Sequence, residues 1–404
     1  MKKTLLFLFS LLTLSLLAQD IKFDVLSNAG GRISNVNSAS FTFGQPFVGS
    51  ITNGTNSIRQ GFQQPSFIMS VPGCTDSSAF NYDPLATIDD GSCTYQMTYV
   101  PDDAFEQHLI YYGIDDILDD SVRTSNMNLY SGGLTLEGIG IVGGINNLTG
   151  IKDMISLTSL DIWMTAANNL TTINLSQCVS LTSFNAERLP SLVSLDFPPS
   201  IKYIDLLNTD SLTTIDLSQC VNLETLFLQT VNDLNYLDIS SCSLLLDLYI
   251  AETNQDTLNL MGCINLNTLE LEAVPLTSLD LSSNIVLTNL SLAMSQITTL
   301  DISQNTALTV SSCWANSQLS SLDVRNGNNT NFTHFSDGNN PNLFCIDVDD
   351  PVYSTANWSQ VDPWSSFSAN CNPIYGCTDS LASNYNPLAT IDDSTCNYCS
   401  ITTS

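Results

Sequence analysis

LTSLDLSSNIVLTNLSLAMSQITTLDISQNTA, residues 276–307, contains nearly the same phrase twice. Leu276, Leu279 and Leu281 recur 21 residues later as Ile297, Leu300 and Ile302. Asp280 recurs as Asp301, Ser282 as Ser303 and Asn284 as Asn305. The piece between keeps the L-x-x-L-x-L spacing at Leu287, Leu290 and Leu292 but has no aspartate. A unit this short cannot bury its own leucines. It is stable only when stacked on copies of itself.

The copies run through the chain. The aspartate half starts at Leu170, Leu192, Leu212, Leu234, Gln255, Leu276, Ile297 and Leu319, at intervals of 22, 20, 22, 21, 21, 21 and 22. A looser copy begins at Leu343. The other half starts at Leu157, Leu181, Ile201, Leu223, Leu245, Leu266, Leu287 and Leu308. A steady period repeated this often is the signature of a solenoid. The pattern L-x-x-L-x-L-x-x-N/C-x-L resembles the leucine-rich-repeat family. LTSLDLSxN is similar to the alternate half of short-repeat bacterial surface proteins. The resemblance covers residues 98–371. It implies a β-rich, right-handed curved solenoid of short parallel strands with few helices, binding on its concave face. Phe197-Pro198-Pro199 breaks one rung, and the stretch from Asp256 to Leu260 keeps only part of the pattern.

The two halves behave differently. Asn174, Asp196, Asp216, Asp238, Asn259, Asp280, Asp301 and Asp323 hold one position with little change. The matching position of the other half varies: Asn185, Asp205, Phe227, Tyr249, Glu270, Ser291. Uniformity marks a packing problem solved the same way on every rung, and variation marks a surface free to specialise. The varied half is therefore expected on the concave sheet, with Asn185, Phe227, Tyr249, Glu270 and Ser291 as candidate binding residues. Phe227 and Tyr249 are its anchors, or else simply exposed aromatics on a packed sheet.

The aspartate column needs its own account. Carboxylates about 4.8 Å apart on neighbouring rungs repel by about 1 kcal/mol in water and about 3.5 kcal/mol at an effective dielectric of 20. Such a column survives if each carboxylate accepts hydrogen bonds. Ser278, Ser282, Thr299 and Ser303 stand nearby to donate them. Shared Ca²⁺ is the alternative.

Residues 73–95, GCTDSSAFNYDPLATIDDGSCTY, return without a gap as residues 376–398, GCTDSLASNYNPLATIDDSTCNY. Each copy has two cysteines 19 apart, Cys74 with Cys93 and Cys377 with Cys396. Closing such a loop contributes about 3 kcal/mol in the chain-entropy model, enough to staple a module with little core. Asp76, Asp83, Asp89 and Asp90 are candidate Ca²⁺ ligands, since a hard cation takes several oxygens. Equally, they cap turns at Asp83-Pro84 and Asp90-Gly91. The second copy, with Asn386 and Ser394 at two of these sites, favours the turns. The unit resembles GCTD…NYDP…DDGSC repeats of secreted multi-module bacterial proteins.

Cys178, Cys220, Cys242 and Cys263 occupy the site that becomes Asn284 and Asn305. They are small buried groups or, for Cys220, Cys242 and Cys263 on consecutive rungs, within reach of a bridge. Cys313 reads as a core thiol. Cys345 and Cys371 flank an aromatic segment with Trp358, Trp364 and Phe367 that looks like the family's C-terminal cap, and the likeness implies their pairing. Cys399 is left over.

The expected organisation is a signal peptide at 1–18, a small β module at 19–70, the first cysteine module at 73–95, an N-terminal cap at 98–156, the array at 157–348, a C-terminal cap at 349–371 and the second module at 376–398. Lys2 and Lys3, the apolar run from Leu5 to Leu17 and Ala18 form the export signal. No later stretch is apolar enough to insert in a membrane. The second module stands at the end of the sequence, which leaves a fragment of a longer protein open; proteins of the kind it resembles often continue into a C-terminal sorting domain, and none is visible in these residues. Pro101-Asp102-Asp103 opens a helix with Phe105, Leu109 and Ile110 on one face. His108 is read as a surface residue of that helix. The 40 acidic against 10 basic residues argue against nucleic acid or anionic lipid as partner.

Two histidines and no nucleophile or phosphate-loop motif argue against catalysis. The expected function is recognition of a protein or glycan by a secreted or bacterial cell-surface protein. The alternatives are a Ca²⁺-stabilised stalk or adhesin, and the recognition part of a longer secreted enzyme.

Overall fold

The computed structural model describes residues 70–137, 144–163, 169–372 and most of 375–398, with the backbone of four short strands within 30–60. The expected signal peptide and Cys399 lie outside them. The chain divides into two compact units, Met1–Gly73 with Leu85–Ile88, and Cys74–Pro84 with Asp89–Ser404.

The first unit holds two antiparallel hairpins. Gly30–Ile33 pairs with Ala39–Thr42, and Gly49–Asn53 with Asn56–Gln60. In the second hairpin Asn53 pairs with Asn56.

The second unit is a parallel-strand solenoid of the leucine-rich-repeat type. Its spine is a ten-stranded parallel sheet from Gly133–Glu137 to His334–Ser336, each strand hydrogen-bonded to the equivalent strand one turn on. These strands come from the varied half of the repeat. Burial alternates along them with a period of two, as a pleated strand requires. In Asn289–Ala293, Leu290 and Leu292 are fully buried while Asn289, Ser291 and Ala293 face outward. Each buried leucine contributes about 1.5–3 kcal/mol, and every rung adds its share to one continuous core. The aspartate half forms only short three-residue strands on the other side, such as Thr214–Asp216 and Thr299–Asp301.

The chain leaves the long sheet through left-handed residues, among them Asn208, Ala273, Met294 and Ala315. That conformation costs about 1–2 kcal/mol for a residue with a Cβ. It turns the amide toward the next rung. The N–H groups of Ala273, Met294 and Ala315 donate to the carbonyls of Ala293, Trp314 and Gly338 at 3.0, 3.1 and 2.9 Å.

The Cys/Asn column explains its own substitutions. Asn284 Nδ2 donates to the carbonyls of Leu260 and Cys263, and Asn305 Nδ2 to those of Leu281 and Asn284, at 2.8–3.2 Å. Cys178 and Cys263 do the same more weakly, to Ile151 and Ile239 at 3.4 and 3.5 Å. Either residue is a small buried donor aimed at an earlier rung. All four column cysteines, and Cys313, are free thiols, so the bridged alternative is not adopted. Burial raises the thiol pKa to about 11 at Cys242 and about 12 at the others, which keeps them protonated. At the broken rung, Phe197 fills the core against Phe184, 5.2 Å away edge-on, and the long sheet continues past it.

Both ends of the core are covered. The helix Asp103–Tyr111 starts on an Asp102 side-chain cap and buries Phe105 and Leu109. His108 is buried, which corrects its reading as a surface residue. Its Nδ1 lies 2.9 Å from the Ala104 carbonyl, and its Nε2 accepts from the Glu137 amide at 3.2 Å. Nothing local in the helix signals that contact. At the other end, Trp358 stacks on Phe335 at 4.2 Å, with Phe332 and Phe367 packed against it. Trp364 stands outside that cluster, 44 % exposed, and donates to the Asn340 carbonyl. Disulfides join Cys74 to Cys93, Cys345 to Cys371 and Cys377 to Cys396.

Candidate functional site

Parallel pairing places Asp161, Asn185, Asp205, Phe227, Tyr249, Glu270 and Ser291 side by side as the central outward column of consecutive strands. All five candidate binding residues therefore share one face. Asn185 donates its side-chain amide to Asp161. The Phe227 and Tyr249 rings lie 5.9 Å apart, tilted by 47°. A third ring, Tyr203, continues the row 6.0 Å from Phe227. Its hydroxyl donates to Asp205 Oδ2 at 3.3 Å.

Tyr203 was missed by comparing only equivalent repeat positions. It stands two residues before Asp205, and in a strand that puts it on the same face. The same rule brings Asp247 beside Tyr249 and Glu272 beside Glu270. Period-two reading of each strand would have found all three.

The face is strongly acidic. Among the described residues its ten strands carry Glu137, Asp161, Glu187, Asp205, Asp247, Glu252, Glu270 and Glu272 and no lysine or arginine. Two cations at its margin are matched: Lys202 Nζ meets Glu224 at 2.6 Å and Arg188 meets Glu187 at 2.9 Å. Burial first, then the nearby carboxylates Glu272, Glu270 and Glu252, raise the Tyr249 pKa. Burial likewise raises the Asp205 carboxyl, opposed by the Tyr203 hydroxyl and reinforced by Glu187.

The opposite column is hydrogen-bonded into turns. Asp216, Asp238, Asp280 and Asp301 each accept the amide two residues on at 2.9–3.0 Å. Hydrogen bonds from Ser218, Ser240 and Ser282 hold the carboxyls of Asp216, Asp238 and Asp280 below the usual range. In the first cysteine module the pattern repeats. Asp76 accepts from Ser78 and from the Tyr95 hydroxyl, Asp89 from Gly91 and Asp90 from Ser92. Asp76, Asp83, Asp89 and Asp90 are not gathered as a cation site. Among the described residues, the oxygens that do group within 4.8 Å belong to Asp103, Glu106 and Asp120. Glu106 there is buried and accepts the amides of Asp119, Asp120 and Ser121 at 3.0–3.2 Å, so it holds a loop.

Two surface clefts lie elsewhere. One, about 350 Å³, is lined by residues including Asn147, Lys152, Thr172 and Asn174. The other, about 230 Å³, is lined by His334, Phe335, Trp358 and Gln360 among others. Among the described residues, neither lining includes a carboxylate or a cysteine.

The sequence matches no protein-family model and no curated protein. Solved structures do match. The functional domain of InlJ from Listeria monocytogenes, which includes a cysteine ladder, is 19% identical over 68% of this chain and 70% of its own, with a TM-score of 0.40. Internalin C2 from the same organism is 18% identical over 67% of this chain and 95% of its own, at 0.35. The leucine-rich-repeat protein LIC12759 of Leptospira interrogans is 15% identical over 61% of this chain and 75% of its own, at 0.36. At these values the likeness says nothing about activity. The solenoid assignment rests on the strand register itself.

Proposed function

We propose that this protein is a non-catalytic recognition module, exported and either secreted or displayed on a bacterial surface. It binds a protein or glycan on the outward face of the ten-stranded sheet, the concave face in leucine-rich-repeat solenoids. One observation carries the reading. The central column of that sheet changes chemistry from strand to strand and, joined by Tyr203 from the neighbouring column, presents a row of three rings, while the aspartate column is committed to repeated turns. The leader at residues 1–18 and the three disulfides support export. Among the described residues no helix is long and apolar enough to cross a membrane.

The test is capture from the native medium with the full chain and with its Phe227→Ala/Tyr249→Ala variant. Partners retained by the parent and lost by the variant, at matched folding, support the reading. Equal capture by both moves the site off this face.

A further inference from the structure

We infer that the occupant of this face is an extended polypeptide segment carrying lysine or arginine at two positions that flank an apolar residue. The inference rests on the recognition role proposed above and names its partner class.

The central column reads, strand by strand, Asp205, Phe227, Tyr249, Glu270. Two aromatic rings are thus bracketed by two carboxylates. Three strand spacings of about 4.8 Å separate the brackets, or about 14 Å. An extended peptide advances about 3.4 Å per residue, so cations about four residues apart reach both carboxylates.

Three features favour a cation over a neutral ligand. The ten strands hold eight carboxylates and, among the described residues, no lysine or arginine of their own; of the eight, Glu187 is paired with Arg188 beside its strand. The nearby cations Lys202 and Arg188 are already paired with Glu224 and Glu187. The rings are tilted by 55° and 47° to their neighbours, so they form no single flat platform for a sugar chain. In register, Phe227 stands beside Asp205 and Tyr249 beside Glu270, and a ring next to a carboxylate suits an ammonium or guanidinium group. The apolar residue between the cations would lie on Phe227 and Tyr249.

The probe is a labelled peptide with two arginines four residues apart and a leucine midway, titrated into the full chain at physiological salt. Its counterpart has glutamine for both arginines, and neutral xylohexaose represents a glycan. The arginine peptide is expected to bind, and the glutamine peptide and the sugar are not. Phe227→Ala/Tyr249→Ala and Asp205→Asn/Glu270→Gln should each weaken binding by about tenfold or more. The charge-matched pair Asp216→Asn/Asp280→Asn, on the opposite side, should change it by less than about twofold.

The inference is overturned if the arginine peptide does not bind, or if the Asp216/Asp280 pair weakens it as much as the Asp205/Glu270 pair, since net charge alone would then explain the binding. Binding of the sugar that depends on Phe227 and Tyr249 also overturns it, yet leaves the recognition role of the face standing. That role falls separately, when native partners are captured equally by the parent and the aromatic variant.

Discussion

Asp280 and Tyr249 stand on opposite sides of the same solenoid and repeat on the same period, yet they answer to different constraints. Asp280 sits in a column where almost every rung has the same residue. Its Oδ1 accepts the Ser282 amide at 2.9 Å, as Asp216, Asp238 and Asp301 accept the equivalent amides in their own rungs. Tyr249 sits where every rung differs, between Phe227 and Glu270. A conspicuous aspartate ladder invites a functional reading, but its regularity is a turn solved many times over. The less regular column is where specificity can be written.

Substitutions can break this contrast or sharpen it. The largest effect lies in the core beneath the face. Leu290→Ala should destabilise by about 2–5 kcal/mol, whereas Ser291→Ala beside it should fall within about 0.5 kcal/mol. Denaturant midpoints of the two variants check the alternation of the sheet. Comparable losses would mean that the outward column is structural too.

Next is the buried carboxyl of Asp337 near the C-terminal end. Its Oδ1 accepts the Asp362 amide at 3.2 Å, while its Oδ2 is buried without a partner. Burial, with repulsion from Asp362, raises its pKa to about 6. The folded state therefore holds a proton that the unfolded chain releases near pH 4. Stability from this group is complete below about pH 4, falls as pH rises from 4 to 6, and is level above; the loss is at most about 3 kcal/mol. Asp337→Asn should flatten that dependence and raise the melting temperature at pH 7.5 but not at pH 4. A parent curve that is already flat between pH 4 and 6 would contradict the assignment.

A smaller change is expected on the turn side. Asp280→Ala removes one acceptor and should cost about 1 kcal/mol, with Asp280→Asn nearly neutral because its side-chain oxygen still accepts. Smallest of all is chelation. The carboxylates of the column and of the first cysteine module are engaged by turn amides and hydroxyls, so EDTA should leave the melting transition unmoved. A clear downward shift would restore the Ca²⁺-stabilised reading.

The period of 21 residues made the solenoid legible, because only stacking can bury leucines spaced that way. Variation between copies also told which half forms the continuous sheet. Contacts distant in sequence were hidden. His108 reaches the Glu137 amide 29 residues away, and nothing in its own helix marks it. Left-handed Asn208, Thr230, Ala273 and Met294 share no residue type, since the turn is imposed by the rungs on either side. The third ring of the face, Tyr203, escaped because repeats were aligned by equivalent position, whereas a pleated face also joins residues two apart.

The most direct test of the division between the two sides is a paired comparison of melting temperature and capture of native partners for two double variants. Phe227→Ala/Tyr249→Ala is predicted to lose capture while melting close to the parent. Asp280→Ala/Asp301→Ala is predicted to melt lower while capturing normally. Loss of capture by the aspartate variant, with capture intact in the aromatic one, would contradict the account.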